Sequence, residues 1–411
     1  MESGEAAAGH PAMFDALAVP DYRWLWLGSL VSNVGGWMQT IGSGWLVLQL
    51  TNSPFWLGMV SFAAALPILL FSLPAGVLAD RVDRRRLLLV TQASAGVLAL
   101  ILALLTGFGL VRIWHILAIT LLSGTVMAIH MPAWQAMIPD LVGKDRLMNA
   151  VGLNSAAFNG AGVVGPALAG LIVGAFGVAA CFALNAASYL AVIAALFAIR
   201  TPCIGSECRR NVMESLGEGL YFIRRRRLVF VFFALAAVIS VAARPYLQLL
   251  PVFARDVLGG DSRFYGALMT ANGAGALAGS LLTATLSQVP HKGLLLLVSA
   301  ATLCTALIVF AIVPLVPVAL GLLVLIGGST TLFMSTTNTI IQTLTPDEVR
   351  GRVMSVWSLI AAGVMPLGSL LLGGAASLTG RVALVVIAGA GVALLATLVI
   401  GVFARDPRRG H

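Results

Sequence analysis

Arg244 is the residue whose type and position best suit binding chemistry, because it lies inside a long apolar run. A charged side chain within such a run costs at least about 2.5 kcal/mol near the centre of a bilayer and usually needs a partner. No Asp or Glu lies in the interior of the long apolar runs of this sequence. Two interpretations stay open. Arg244 either reaches the outer face of the membrane, or it faces a wet cavity where its guanidinium receives an anionic or carbonyl-rich ligand.

Small and polar side chains recur every three to four residues in three apolar runs, which places them on one face of each predicted helix. These faces have Ser29, Asn33, Gly36, Thr40 and Ser43 in the first run, Ser240, Arg244 and Gln248 in the second, and Thr331, Ser335, Asn338 and Gln342 in the third. One explanation is hydrogen bonding between helices, at about 0.6 kcal/mol for each bond. The explanation we favour is a polar cavity, because three runs share the pattern.

His130 lies in a further apolar run, four residues before Trp134. Histidine can take up and release a proton near neutral pH. The alternative is a neutral imidazole that is hydrogen-bonded to a neighbouring helix. In a cavity, Trp134 would offer aromatic surface to an apolar ligand.

The composition indicates that a membrane surrounds these residues. Of 411 residues, 59% are hydrophobic and 10% are charged, and the mean hydropathy is +0.98. These values exclude an ordinary soluble domain. The net charge of +9 would suit nucleic acid, but the basic residues stand at the ends of apolar runs, as in membrane proteins. We therefore expect no nucleic-acid partner.

Twelve apolar runs follow a polar lead-in, and each is long enough to cross a bilayer. We number them spans 1 to 12; they cover residues 24–50, 55–79, 87–109, 113–137, 149–173, 178–199, 228–250, 264–288, 293–313, 316–342, 353–376 and 382–404. Lipid offers the backbone no hydrogen bonds, and the alternation typical of barrel strands is absent. The spans are therefore predicted to be helices.

An internal repeat divides the chain into two six-helix halves. Span 4 closes with Gln135, Pro139 and Asp140, and span 10 closes with Gln342, Pro346 and Asp347, 207 positions later. The predicted organisation is a lead-in at 1–22, an N-terminal half at 23–199, a connector at 200–227, a C-terminal half at 228–404 and a tail at 405–411.

Basic residues are distributed unequally between the two ends of the spans. With the N-terminus in the cytoplasm, 20 of the 25 Lys and Arg residues lie on the inner side and 4 on the outer side, and Arg244 lies within a span. Positive charge favours the cytoplasmic side. We predict a multi-pass protein of the bacterial inner membrane with both termini in the cytoplasm. The arginines at 224–227 are interpreted as an anchor on anionic lipid, with a protein-binding site as the alternative.

The loop between spans 2 and 3 carries a motif, because six of the eleven residues at 76–86 are charged. The chain after Asp21 resembles transporters of the major facilitator superfamily, whose loop between helices two and three has the pattern Gly-x-Leu-Ala-Asp-Arg-x-Gly-Arg-Arg/Lys. The matching residues are Gly76, Leu78, Ala79, Asp80, Arg81, Arg84 and Arg85, and Asp83 replaces the second glycine. The segments at 21–23, 36–39, 139–142 and 346–352 resemble the branch that contains the enterobactin exporter and bacterial drug-efflux proteins.

The resemblance implies an all-α membrane protein with twelve transmembrane helices in two pseudo-symmetric halves. It also implies that spans 1, 4, 7 and 10 line a central cavity. Our candidate cavity residues are Asn33, Gln39, Thr40, His130, Trp134, Arg244, Gln248, Thr331, Ser335 and Asn338.

Two further sites follow from the resemblance. Gly76, Asp80, Arg81, Arg84 and Arg85 are the candidate conformational gate. We interpret the gate as a latch in which Asp80 and its arginines clasp the C-terminal half near Asp347 and Glu348. An exporter-type pattern in span 5 is matched by Gly165, Pro166 and Gly170, with Ala161 and Ala169 where the pattern has glycine.

The predicted function is secondary active export of small amphipathic molecules, such as drugs, siderophores or other metabolites, by alternating access. Proton coupling is implied by the resemblance, with His130, Asp80 or the substrate itself as proton carrier. An importer or facilitator of the same fold is one alternative. A membrane sensor or scaffold that does not transport is another.

We expect no enzyme activity and no cofactor or metal. The sequence lacks the G-x-x-x-x-G-K-[ST] pattern of ATP-binding loops, and the pair Cys203 and Cys208 makes a poor zinc site. A G-x-G-x-x-G match that begins at Gly160 lies within span 5, not after a strand, so it does not predict a dinucleotide site. The expected partners are a small-molecule substrate, membrane lipid and protons, and we expect a monomer.

Overall fold

The computed structural model describes residues 14–199, 201, 212–286 and 291–404. Every regular element in these ranges is a helix, so the predicted helical class is confirmed. Spans 1 to 6 form the helices Pro20–Thr51, Pro54–Arg81, Arg84–Gly107, Ile113–Phe176 (spans 4 and 5 together) and Val178–Ala198. Spans 8, 9, 10 and 12 form Ser262–Thr285, Lys292–Ile312, Val316–Leu344 and Val382–Ala404.

Spans 7 and 11 are interrupted helices. Span 7 consists of Arg227–Ala242, Tyr246–Val252 and the π-helical turn Phe253–Val257. Span 11 consists of Asp347–Ser358, the π-helical turn Leu359–Gly363 and Met365–Thr379. Both spans are helical, as predicted, but their interruptions were not predicted. Pro245 and Pro366 lie at the restarts of the two helices, where a missing backbone N–H costs least.

The helices account for twelve membrane crossings. Nine helical segments in the described ranges are long and apolar enough to cross a membrane. One of the nine, Ile113–Phe176, has 64 residues, which is enough for two crossings. Pro20–Thr51 and Ser262–Thr285 are long enough to add two more. Their many glycine, serine, asparagine and threonine residues lower the mean hydropathy.

Spans 4 and 5 are joined more tightly than predicted, because no loop separates them. Within Ile113–Phe176, two helices meet directly at Gly143, the one residue there with non-helical dihedral angles (φ 72°, ψ 176°). A side chain would strain this backbone conformation, and glycine adopts it freely. The chain therefore reverses at Gly143.

The described part of the lead-in contacts the start of span 5. Asp15–Ala18 forms a 3₁₀ turn, and the Ala16 N–H donates to Asn149 Oδ1 over 3.0 Å. Arg146 Nε donates to Asp15 Oδ2 over 2.9 Å. Both contacts fasten the start of span 1 to the start of span 5. In the connector, Val212–Arg225 forms a helix, which we call the linker helix. Cys203, Cys208 and the tail at 405–411 lie outside the described residues.

Small residues bring the two halves together. Span 5 crosses span 8, where a Cβ on Gly273 would clash with the Gly162 carbonyl oxygen. Span 2 crosses span 11, where a Cβ on Gly58 would clash with the Ser369 carbonyl. Such close backbone approach is the usual packing mode of membrane helices, since lipid provides no hydrophobic force between them.

These inter-half contacts lie in the middle and at one end of the bundle. We call this the outer end, and we call the end with the loop between spans 2 and 3 the inner end, following the predicted orientation. Phe158, one turn inward of the Gly162–Gly273 contact, is 55% exposed. The described contacts between the halves therefore lie mainly in the middle and at the outer end of the bundle.

Candidate transport site

Arg244 stands at the break in span 7. Its Nη1 donates to the Ala361 carbonyl oxygen of span 11 over 2.8 Å and lies 3.5 Å from Ser240 Oγ. Its Nε is buried and has no hydrogen-bond partner among the described residues. The guanidinium is thus held at span 11, in the middle of the bundle, with part of its donor capacity unused.

Ala361 lies in the π-helical turn of span 11. A π-helical turn shifts the hydrogen-bond ladder from i→i+4 to i→i+5, and such turns are frequent at functional sites. The arginine therefore bridges two helix interruptions, one in span 7 and one in span 11. Discontinuous membrane helices that meet in this way form the binding sites of several transporter folds.

Two residues that the sequence argument missed lie beside this bridge. Tyr246 restarts span 7 and is fully buried, and Asn272 Nδ2 of span 8 donates to its hydroxyl oxygen. Asn272 is an amide within an apolar run, a signal that could have identified it. The bond connects span 8 to the broken part of span 7.

The polar face of span 10 is more accessible than its opposite face. Thr331, Ser335 and Asn338 are half-buried, whereas Phe333 and Thr337 are buried. Gln342 Nε2 lies 3.4 Å from Asn338 Oδ1 on the same helix, and Gln248 of span 7 is also half-buried.

Span 1 shows the same contrast. Asn33 is half-buried and Thr40 is exposed, whereas Met38 and Ile41 are buried. Gln39 differs from the other candidates, since its Oε1 accepts a bond from Asn185 Nδ2 of span 6 over 2.6 Å. Its amide therefore takes part in packing within the N-terminal half.

His130 bonds to a neighbouring helix. Its Nδ1 lies 3.3 Å from Thr91 Oγ1 of span 3, and its ring centroid lies 5.7 Å from that of Trp134. Of the two interpretations of His130, this geometry matches the imidazole that is hydrogen-bonded to a neighbouring helix.

The arginines of the charged loop bind within their own half. Arg84 forms an ion pair with Asp140 at the end of span 4 and donates to the Ala136 carbonyl over 3.3 Å. Arg85 donates to the carbonyls of Leu196 and Phe197 over 2.7 and 3.1 Å. Unpaired carbonyls at a helix C-terminus attract cations in this way.

The predicted clasp to the C-terminal half is therefore not formed by Arg84 or Arg85 in this conformation. Gly76 has open space around it, and the Arg81 side chain is exposed. The side chain of Asp80 lies outside the described residues. The expected acidic partner Asp347 instead pairs with Arg350 on its own helix, at 2.5 Å.

The span 5 motif packs against both halves. Gly165 lies against Trp37 and the Val34 carbonyl of span 1. A Cβ on Gly170 would meet Arg263 and Gly266 of span 8 at about 3.1 Å. Close packing is thus the observed role of these positions.

Polar and aromatic contacts close the outer end. Arg255 forms an ion pair with Asp256 at 2.6 Å and donates to Asn52 Oδ1, at the end of span 1. The rings of Trp45 and Tyr265 stack with centroids 6.1 Å apart. These contacts join the ends of spans 1, 7 and 8 at the outer end of the bundle.

A family model matches residues 12–410, almost the whole chain; it is described as MFS_3, transmembrane secretion effector. The chain belongs to this family. It is similar to the staphyloferrin A transporter of Staphylococcus aureus, with 28% identity over 85% of this chain and 88% of that protein.

Two further relatives have names that describe efflux or export. The multidrug efflux pump Tap of Mycolicibacterium fortuitum is 28% identical over 86% of this chain and 88% of its own length. The enterobactin exporter EntS of Salmonella choleraesuis is 24% identical over 93% and 92%. These relatives confirm the predicted branch: the protein is an efflux transporter of the major facilitator superfamily.

Solved structures confirm the fold. The nucleoside transporter NupG superposes with a TM-score of 0.73 at 12% identity, over 94% of this chain and 99% of that one. A bacterial homologue of the iron transporter ferroportin, in an inward-facing state, gives 0.69 at 18% identity, over 94% and 99%. At such identities the likeness concerns the fold alone.

Proposed function

We propose that this transporter exports small amphipathic molecules with an anionic or carbonyl-rich group, and that Arg244 receives that group. The observation that carries the proposal is the position of Arg244, which bridges two helix interruptions and keeps donor groups unused. A guanidinium binds carboxylates with two parallel hydrogen bonds. In a low-dielectric site these bonds are stronger than in water.

In this proposal, the protein transports its substrate by alternating access. The substrate enters the open inner end, binds between the halves, and leaves after the outer contacts of Arg255 and Tyr265 have separated. A substrate shifts this equilibrium only by binding one state better than the other. We place both termini in the cytoplasm of a bacterial inner membrane, as the distribution of basic residues favours.

Proton antiport is the proposed energy source. No carboxylate lies inside a predicted span, so His130, Asp80 and the substrate itself are the candidate proton carriers. Uptake into inside-out vesicles, with and without a proton gradient, tests coupling and direction together. Uptake that needs no gradient, or that runs equally in both directions, would identify a facilitator of the same fold.

Substitution of Arg244 tests the binding site. Hydrogen bonds to charged groups contribute about 1.5–3 kcal/mol, so Arg244→Ala should weaken transport of an anionic amphipathic dye roughly 10- to 100-fold. A neutral ester of the same dye should be transported nearly as before. Arg244→Lys retains the charge but lacks the planar guanidinium. Its transport of the anionic dye should lie between that of Arg244→Ala and that of the unsubstituted protein.

The comparison variant is Gln248→Ala, an uncharged candidate cavity residue four positions from Arg244; any loss of transport in it should be equal for the dye and its ester. Thermal unfolding of each purified variant monitors the loss of the Ala361 contact. If the anionic dye and its ester lose transport equally, Arg244 has a structural role. If neither loses transport, Arg244 does not bind substrate.

We propose Asp80 as the gate residue that binds the C-terminal half when the inner end closes. Of the two acidic residues in the loop, Asp83 accepts a hydrogen bond from the Arg86 N–H at the start of span 3, and we assign the gating contact to Asp80. Asp80→Asn should slow turnover at least about tenfold, the loss expected for one charged hydrogen bond, and change substrate affinity less. Equal losses in turnover and affinity would contradict a gating role.

A further inference from the structure

The linker helix ends in a patch of positive charge. It passes into span 7 through four consecutive arginines, at 224–227, and all four are exposed. None of them forms an ion pair with a carboxylate in the described part of the chain. Adjacent like charges repel one another, so an external anion would stabilise this segment.

Aromatic rings hold two of these arginines in place. Arg225 Cζ lies 4.6 Å from the centroid of the Tyr221 ring, and Arg226 Cζ lies 5.9 Å from that of Phe222. A cation at such distances is attracted by the face of the ring. The rings therefore restrict the two guanidinium groups before any ligand arrives, which lowers the entropy cost of binding.

The linker helix is fixed at the inner end of the bundle. Ile223 is buried, and the helix packs against Asp347–Ser358 at the start of span 11. Leu220 and Tyr221, by contrast, are exposed. The helix thus has a packed side, and beside it an apolar and basic side without a partner among the described residues.

The arginines stand where the chain enters the membrane. Leu228 and Phe230, the second and fourth residues of the helix Arg227–Ala242, are exposed. Arg226 precedes Phe230 by four residues, or about 6 Å along a helix. A ligand that touches both kinds of side chain must have an anionic group next to an apolar chain.

We propose that the linker helix and the start of span 7 form a binding site for the phosphate headgroup of an anionic phospholipid. Arg225 and Arg226 are its main donors, and Leu228 and Phe230 contact the acyl chains. Juxtamembrane arginines attract anionic lipid generally. Here, the ring contacts and the packed linker helix hold Arg225 and Arg226 in fixed positions. The two arginines can therefore form a defined binding site. The proposal rests on membrane embedding, independently of the transported substrate.

The test measures lipid binding to the purified full-length protein in neutral detergent, by titration with a fluorescent phosphatidylglycerol and with the matching phosphatidylcholine. The protein should prefer phosphatidylglycerol. Each arginine near an anionic surface contributes about fivefold in affinity, so Arg225→Gln with Arg226→Gln should weaken phosphatidylglycerol binding roughly 30-fold. Tyr221→Ala keeps every charge but removes one ring, and a loss of several-fold is expected.

The matched control is Arg86→Gln with Lys144→Gln, which removes two exposed positive charges from the same end of the molecule. The control should change lipid affinity less than twofold. Equal losses in both double variants, or equal affinity for both lipids, would overturn the proposal. Displacement of the lipid by excess inorganic phosphate would also overturn it, since a free-anion site would then explain the patch.

Discussion

The inner corners of the two halves are built from equivalent positions but are held together differently. In the N-terminal half, Arg84 begins span 3 and pairs with Asp140, which closes span 4. The equivalent positions in the C-terminal half are Lys292, which begins span 9, and Asp347, which follows span 10. There, Asp347 pairs within its own helix with Arg350, and its side chain is 82% exposed.

The difference shows that the repeat preserves helix order but not the polar contacts at the helix ends. Arg84 and Arg85 connect spans 3, 4 and 6 into one braced corner. The Asp347–Arg350 pair lies within one helical turn, and Arg350 also donates to the Thr345 carbonyl, between spans 10 and 11, over 3.4 Å. We therefore expect the start of span 11, together with the linker helix, to move during the cycle while the corner in the N-terminal half moves as one body.

Breaking the braced corner should have the largest effect. Asp140→Ala leaves Arg84, whose side chain is 9% exposed, without its counter-charge. Removal of one partner of a fully buried ion pair costs about 3–5 kcal/mol. Because the Asp140 side chain is 27% exposed, we expect a loss of about 2–3 kcal/mol, near the lower end of that range. Chemical unfolding of the purified variant in detergent should show this loss in the free energy of unfolding.

The double variant Arg84→Met with Asp140→Leu is the control for this prediction. It removes both charges and fills their space, so it should recover most of the lost stability. A loss below about 1 kcal/mol in Asp140→Ala would show that the corner is not braced by this pair, and the contrast between the halves would disappear.

Arg85→Ala should have an intermediate effect. Arg85 bonds two carbonyls at the end of span 6 and is half-buried. A cation at a helix C-terminus contributes about 0.3–2 kcal/mol, with the larger values for partly buried groups. We expect a loss of about 1–2 kcal/mol, measured by the same unfolding experiment. Arg86→Ala is the matched control, because the neighbouring Arg86 side chain is exposed; an equal loss there would refute the capping role.

The sequence predicted the helices and the division into halves because apolar length and the repeat depend on local composition. It also indicated the polar faces of spans 1 and 10, where Asn33, Thr40, Thr331, Ser335 and Asn338 are accessible and the opposite faces are buried. The polar face of each span follows from the helical period, which can be recognised in the sequence of that span alone.

Contacts between distant segments could not be predicted in the same way. Arg84 and Asp140 are separated by 56 positions, and nothing local distinguishes Arg84 from its arginine neighbours. The break in span 7 had a signal, since Pro245 removes a backbone donor directly after Arg244. The interruption in span 11 had a similar signal in Pro366, but a proline does not specify the π-helical turn that precedes it.

The smallest effect is expected from Asp347→Ala, at the position equivalent to Asp140. An exposed pair within one helix contributes less than about 0.5 kcal/mol, and salt screens it further. The free energy of unfolding should therefore stay within that range of the unsubstituted protein at both low and high salt. A loss comparable to that of Asp140→Ala would show that Asp347 has a buried partner in another state of the cycle. The two corners would then be braced alternately, one in each state, and the C-terminal corner would not be free throughout the cycle.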